Sequence, residues 1–380
     1  MLNQSLNQAI GIVQKKMIKL ALKKRYCALL FGLGLLLLLL AVGCCPPNSD
    51  GTSRSHWVQP SFYYWRSVYQ TSAADSLYLD SLSVERLYLR FFDIDWNDAQ
   101  RQAVPIAPVV LDEPLLPHLK LVPTIFITNR SFAQLPADGI DSLAARVARR
   151  VAAMCRQYDV SNPIVEIQFD CDWTSSTRDR YFAFLRAFAQ LPAYRHIPLS
   201  ATIRLHQIKY AAQTGVPPVG RGMLMCYNMG ELRATNTNNS ILDTDILSNY
   251  ISKLSAYSLP LDIGLPLFSW GVVFRQGRFE GLLNGWRMAD VAGVAQLKAI
   301  DDHTFRVSEP WQVGNISLQT NDIIRIEQCD MVALRRAARL LAPRWQTDTA
   351  RVIFYHLAPD IRPYYPVEHL RELTDILEKQ

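Results

Sequence analysis

Cysteine is scarce in this chain, 7 among 380 residues, and its placement suits no metal or redox chemistry. Past Cys27 and Cys44 come Cys45, Cys155, Cys171, Cys226 and Cys329, with no Cys-x-x-Cys pair among them. That spacing excludes a zinc-ribbon pattern and gives no disulfide framework. Histidine is equally sparse, and His206 and His356 have no third ligand at metal spacing, so neither a metal nor another cofactor is expected. Acidic residues are missing altogether from residues 1–43, which hold the six cations Lys15, Lys16, Lys19, Lys23, Lys24 and Arg25. The formal net charge of +6 therefore belongs to that segment alone. The rest is balanced, which leaves no basic patch for nucleic acid. No internal repeat and no low-complexity segment stands out beyond residue 55.

What the N-terminus does have is a cationic stretch, the apolar run Ala28 to Val42, and then Gly43-Cys44-Cys45-Pro46-Pro47. Charge followed by an apolar run and small residues is the pattern of a targeting segment. Ala41-Val42-Gly43-Cys44 resembles the lipobox of bacterial lipoproteins, in which the cysteine is lipidated and becomes the new N-terminus. The resemblance implies a signal sequence over 1–43 and a lipid on Cys44. It also implies membrane attachment in the bacterial cell envelope, at the outer membrane. An uncleaved transmembrane helix is the alternative, since about 18 apolar residues can just span a bilayer. Residues 44–58 are rich in Pro, Ser, Gly and Asn and read as a flexible tether.

Residues 59–380 read as one domain. Eight strand-like runs follow one another: 61–68, 85–94, 121–128, 164–172, 199–206, 222–228, 261–270 and 350–356. Helical patterns separate several of them. Over 141–158, Leu143, Val147, Val151 and Met154 recur at helical spacing; after a capping Ser175-Ser176-Thr177, so do Tyr181, Phe182, Leu185 and Phe188. Further helices are expected over 332–341 and 366–377. Eight strands with interposed helices predict an α/β chain folded as a (β/α)8 TIM-type barrel. Short strand-like runs after 300, up to about 328, predict a small inserted hairpin region between strands 7 and 8.

The fourth run carries the chemistry. As a strand, Val165, Ile167, Phe169, Cys171 and Trp173 point one way, and Glu166, Gln168, Asp170 and Asp172 the other. In a barrel the apolar set meets the helices and the polar set lines the interior. The fifth run repeats this with Ser200, Thr202, Arg204 and His206. An inert barrel is packed with Val, Ile and Leu instead. Asp170 and Asp172 share a face, so mutual repulsion should raise one carboxyl and leave the other ionised. Asp93 and Asp95 repeat the spacing after the second run. Aromatic residues gather at strand ends, among them Tyr64, Trp65, Tyr227, Trp270 and Tyr355, and could stack on sugar rings.

Asp170, Asp172 and Trp173, with Met225, Tyr227 and Asn228, resemble the chitinase-like glycoside hydrolases. Their fourth strand reads D-x-x-D-x-D-x-E and their sixth ends M-x-Y-D or M-x-Y-N. Two positions depart: Ile167 stands for the first Asp, and Thr174 for the catalytic Glu. From about Phe62 to His356 the chain also resembles an uncharacterised family of bacterial lipid-anchored proteins with the same barrel. The resemblance implies a glycan partner at the strands' C-terminal face, bound and, if catalysis persists, hydrolysed. Asp172 would then donate the proton and Asp170 orient it, while Arg204, His206, Tyr227, Asn228, Trp270, Tyr64, Asp93 and Asp95 hold substrate. Hydrolysis ordinarily takes two carboxyl groups. Thr174 favours a rival reading, a non-catalytic glycan-binding or scaffold lipoprotein. A third is a protein-interaction role for the insertion near Trp311.

Overall fold

The computed structural model describes residues 57–345 and 350–378. The expected signal sequence, Cys44 and most of the tether lie outside them. Eight parallel strands form the core: β1 (Val58–Tyr64), β2 (Arg86–Asn97), β3 (Lys120–Ile127), β4 (Ile167–Asp170), β5 (Leu199–Arg204), β6 (Arg221–Met225), β7 (Leu261–Pro266) and β8 (Ala350–Tyr355). Each pairs with its sequence neighbours, and β1 pairs with both β8 and β2, so the sheet closes. Closure leaves no free edge in the ring of eight. This is the (β/α)8 barrel that the order of strand-like runs predicts.

The outer layer follows from apolar stripes at helical spacing. The helix Ile140–Gln157 buries Leu143, Val147, Val151 and Met154. The helix Arg178–Ala189 buries Tyr181, Phe182, Leu185 and Phe188, and Phe169 of β4 packs edge-on against Phe184 and Phe188. Thr177 stands at its N-cap without capping it; the hydroxyl accepts from Thr174 N and donates to Asn129 Oδ1 instead.

The barrel interior is polar along its length. At the strands' N-terminal end, Arg86 and Arg351 reach Glu166 at 3.5 and 3.0 Å, and Arg351 and Arg221 reach Asp262 at 3.1 and 2.9 Å. Burial raises the Asp262 carboxyl against the pull of those two guanidiniums. One layer higher, Tyr63 donates to Gln168 Oε1, whose amide nitrogen donates to Ser200 Oγ at 3.3 Å.

Several boundaries differ from the sequence reading. β2 runs on to Asn97 and folds back on the strand Gln102–Ile106, so Asp93 and Asp95 sit in a hairpin arm. β4 stops at Asp170. The seventh run divides at Pro266, and Ser269–Arg275, with Trp270, begins the insertion. That insertion is an antiparallel sheet in the order 278–284, 269–275, 323–328, 304–307 and 297–299, beside a hairpin of 311–313 with 316–318. Val273, Leu283, Val307, Ile324 and Ile326 give it a core of its own. Leu261, Ile263, Leu265 and Leu267 alternate straight through Pro266, so the pattern alone cannot show where one sheet hands over to the other.

Candidate functional site

Although β4 ends at Asp170, its parity persists through the next three residues. Trp173 stays on the helix side, buried between Tyr181 and Phe182 with its Nε1 donating to the Thr214 carbonyl at 2.9 Å. Asp172 turns to the barrel mouth, where Arg204 of β5 grips it at 2.5 and 2.7 Å through Nε and Nη2. Asp170 lies deeper, with Thr202 donating to its Oδ1 at 2.6 Å. Burial, then the neighbouring Asp172 charge, push the Asp170 carboxyl up to about 6, against the Thr202 hydrogen bond and Arg204.

The raised carboxyl is Asp170, while both Asp172 oxygens are engaged by the Arg204 fork. Asp172 is poorly arranged as a proton donor. Beside these, Arg90 forms a two-point ion pair with Asp93 and lies 5.8 Å from the Trp65 ring. Asp95 accepts from Thr128 Oγ1 at 2.7 Å and from its neighbour's amide, which fixes a loop.

Aromatic rings line the other side of the mouth. Trp65, Tyr355, Tyr227, Phe268 and Trp270 follow one another at centroid spacings of 5.7, 5.0, 6.1 and 5.0 Å. Gly264 makes room for this row, because a Cβ there would lie 3.2 Å from the Tyr227 ring and 2.6 Å from Met223 Sδ. Trp270 is held by a 2.8 Å hydrogen bond from Nε1 to Glu327, itself saturated by Ser240 and Arg325. The row opens into a cleft of about 460 Å³ bounded by Trp65, Asn228, Phe268, Trp270, Tyr355 and His356. Burial holds the His356 ring toward its neutral form.

No protein-family model matches the chain, and no curated protein matches it. Among solved structures, the spore cortex-lytic enzyme SleL of Bacillus megaterium aligns with a TM-score of 0.50 at 11% identity, over 85% of this chain and 74% of that one. The shared fold is a (β/α)8 barrel. A chitinase of Chromobacterium violaceum aligns with a TM-score of 0.46 at 11% identity, over 85% of this chain and 98% of its own. At such identity the likeness speaks for architecture alone.

On this barrel the candidates from sequence fall into three groups. Asp170, Asp172, Arg204, Asp93 and Tyr227 converge at the mouth, and Trp270 and Asn228 line the cleft beside them. Tyr64 does not: it is on the outward parity, ring against Tyr69, its hydroxyl tied to the backbone of Val68 and Gln70. Tyr63, the adjacent residue, is the one that faces inward. His206 does not join the strand face either. β5 ends at Arg204, a short helix Leu205–Lys209 begins, and the His206 ring is exposed at its first turn. It borders a smaller cleft of about 80 Å³ with Tyr227 and Asn228. Sequence reasoning missed Arg90, Phe268 and Arg287. Arg90 was within reach, since it shares Tyr88's parity in β2. Phe268 and Arg287 belong to the handover into the insertion, where no periodicity marks them.

Proposed function

We propose that this protein binds a glycan at the C-terminal mouth of its barrel, without hydrolysing it by the route of the chitinase-like enzymes. The observation that carries this reading is the row of five aromatic rings beside the ion-paired Asp172–Arg204 and Arg90–Asp93. Sugar rings offer apolar C–H faces to aromatic planes and hydroxyls to charged hydrogen-bonding groups. Against hydrolysis stands Thr174, exposed where the motif would carry its acid, its hydroxyl hydrogen-bonded with those of Ser176 and Thr177. A spore cortex-lytic enzyme among the aligned solved structures agrees with a glycan ligand.

A second reading rests on Asp170. A carboxyl held near 6 carries a proton at mildly acidic pH and could serve as an acid. Its burial and its bond from Thr202 keep it below the cleft. The anchor completes the proposal: Cys44 acylation would hold the barrel at the bacterial outer membrane, with residues 44–58 as tether.

Glycan-array binding followed by reducing-end assays tests the reading. Binding should appear without release of reducing ends, and Trp270→Ala should weaken it about tenfold or more, in line with roughly 1–3 kcal/mol for a ring stacked on an aromatic. Release of reducing ends by the wild type, lost in Asp170→Asn, would move the conclusion to hydrolysis.

A further inference from the structure

Arg287, at the start of a short helix in the insertion, is the cation that this cleft leaves without an acid. It lines the 460 Å³ cleft and is only 4% exposed. Its Nη2 donates to the Leu267 carbonyl at 3.3 Å, and its Nε meets no acceptor. The guanidinium carbon lies 4.1 Å from the Tyr364 ring centre and 5.4 Å from that of Tyr365. Among the described residues no carboxylate pairs with it. A buried guanidinium held by one carbonyl, the Tyr365 hydroxyl and two rings has lost more hydration than those contacts return. Arg66, on the cleft's other side, has no carboxylate partner among the described residues either. Asp360 is the only carboxylate among the lining residues, and His356 there is held toward neutrality. The lining thus sets two cations against one anion, around a space large enough for a sugar.

We propose that the cleft takes an acidic sugar, with its carboxylate or sulfate ester seated on Arg287 and its ring against Trp270 and Phe268. This rests on the glycan-binding reading above and names the class of glycan. A guanidinium presents parallel N–H donors matched to such an anion.

The test is an array of matched oligosaccharides: uronate-containing chains beside their carboxyl-reduced forms, and sulfated chains beside their desulfated forms. The acidic member of a pair should bind about tenfold to a hundredfold more tightly, as expected for a hydrogen bond to a charged group, and added salt should shrink that preference. Whether the uronate or the sulfate pairs show it identifies the anion. Arg287→Met should abolish the preference. Should that variant prove unfolded by its melting temperature, Arg287→Lys and Arg66→Ala take its place, each expected to reduce the preference severalfold. Equal binding of both members, or a preference indifferent to all three substitutions, overturns the acidic-sugar proposal and leaves glycan binding standing. Failure to bind any member, neutral ones included, overturns both.

Discussion

Replacing Asp170 with asparagine should stabilise the protein, and should do so only above a particular pH. The side chain is 8% exposed, accepts one hydrogen bond from Thr202, and faces the charges of Asp172, Arg204 and Asp93. Its carboxyl is raised from 3.8 to about 6, chiefly by burial. A carboxyl whose folded-state pKa is raised favours folding in its protonated form. Its contribution is complete below about pH 4 and is lost as pH rises through about 6. At roughly 1.4 kcal/mol per pH unit, the ionised side chain costs at most about 3 kcal/mol at pH 7.5. Asparagine mimics the protonated acid, and its carbonyl can still accept from Thr202. Thermal unfolding of wild type and Asp170→Asn from about pH 3.5 to 8 should give nearly equal melting temperatures at the acidic end. The variant should then lead by on the order of 5 °C above pH 6.5. Asp262 is common to both proteins and cancels in the difference. A variant less stable at pH 7.5, or a difference independent of pH, would refute the account of Asp170 as a buried carboxyl held against its preference. A stabilising substitution at the mouth of a barrel would also mark Asp170 as retained at a cost in stability, the usual sign of a functional group.

Trp173→Ala removes a fully buried indole and its hydrogen bond to Thr214, and should cost about 3–5 kcal/mol by denaturant titration, far more than Trp270→Ala at the cleft. Asp172→Asn sets an amide against one prong of the Arg204 fork. With the Asp172 side chain 44% exposed, solvent screening limits the loss to about 1 kcal/mol, and an unchanged denaturation midpoint would dissolve the ion pair's structural role. Cys44→Ser should leave the precursor unprocessed and without lipid, as read by mass spectrometry of the membrane fraction; normal processing would remove the proposed anchor.

The order of strand-like and helical runs determined the barrel, because side chains alternate with period two in strands and recur at 3.6 in helices whatever the tertiary context. The same alternation separated Gln168, Asp170 and Asp172 from Phe169 and Trp173, and that parity outlasted the strand itself. What periodicity could not give was any property that depends on where a chain stops or turns. Tyr63 and Tyr64 are equivalent in a pattern until the register of β1 against β8 and β2 decides which points inward. His206 left its face because the strand ended two residues earlier than its alternation did. Likeness to the chitinase motif marked Asp170 and Asp172 as a pair, yet which of them holds a proton was decided across the barrel. Arg204 reaches one from β5, Thr202 reaches the other, and depth from solvent sets the raised carboxyl at Asp170. The cleft itself is wholly tertiary. Trp65, Asn228, Phe268, Trp270, Arg287 and Tyr355 come from the ends of β1, β6, β7 and β8 and from the insertion, and no spacing in the sequence links them. Packing against one another after the barrel has closed is what makes them a site.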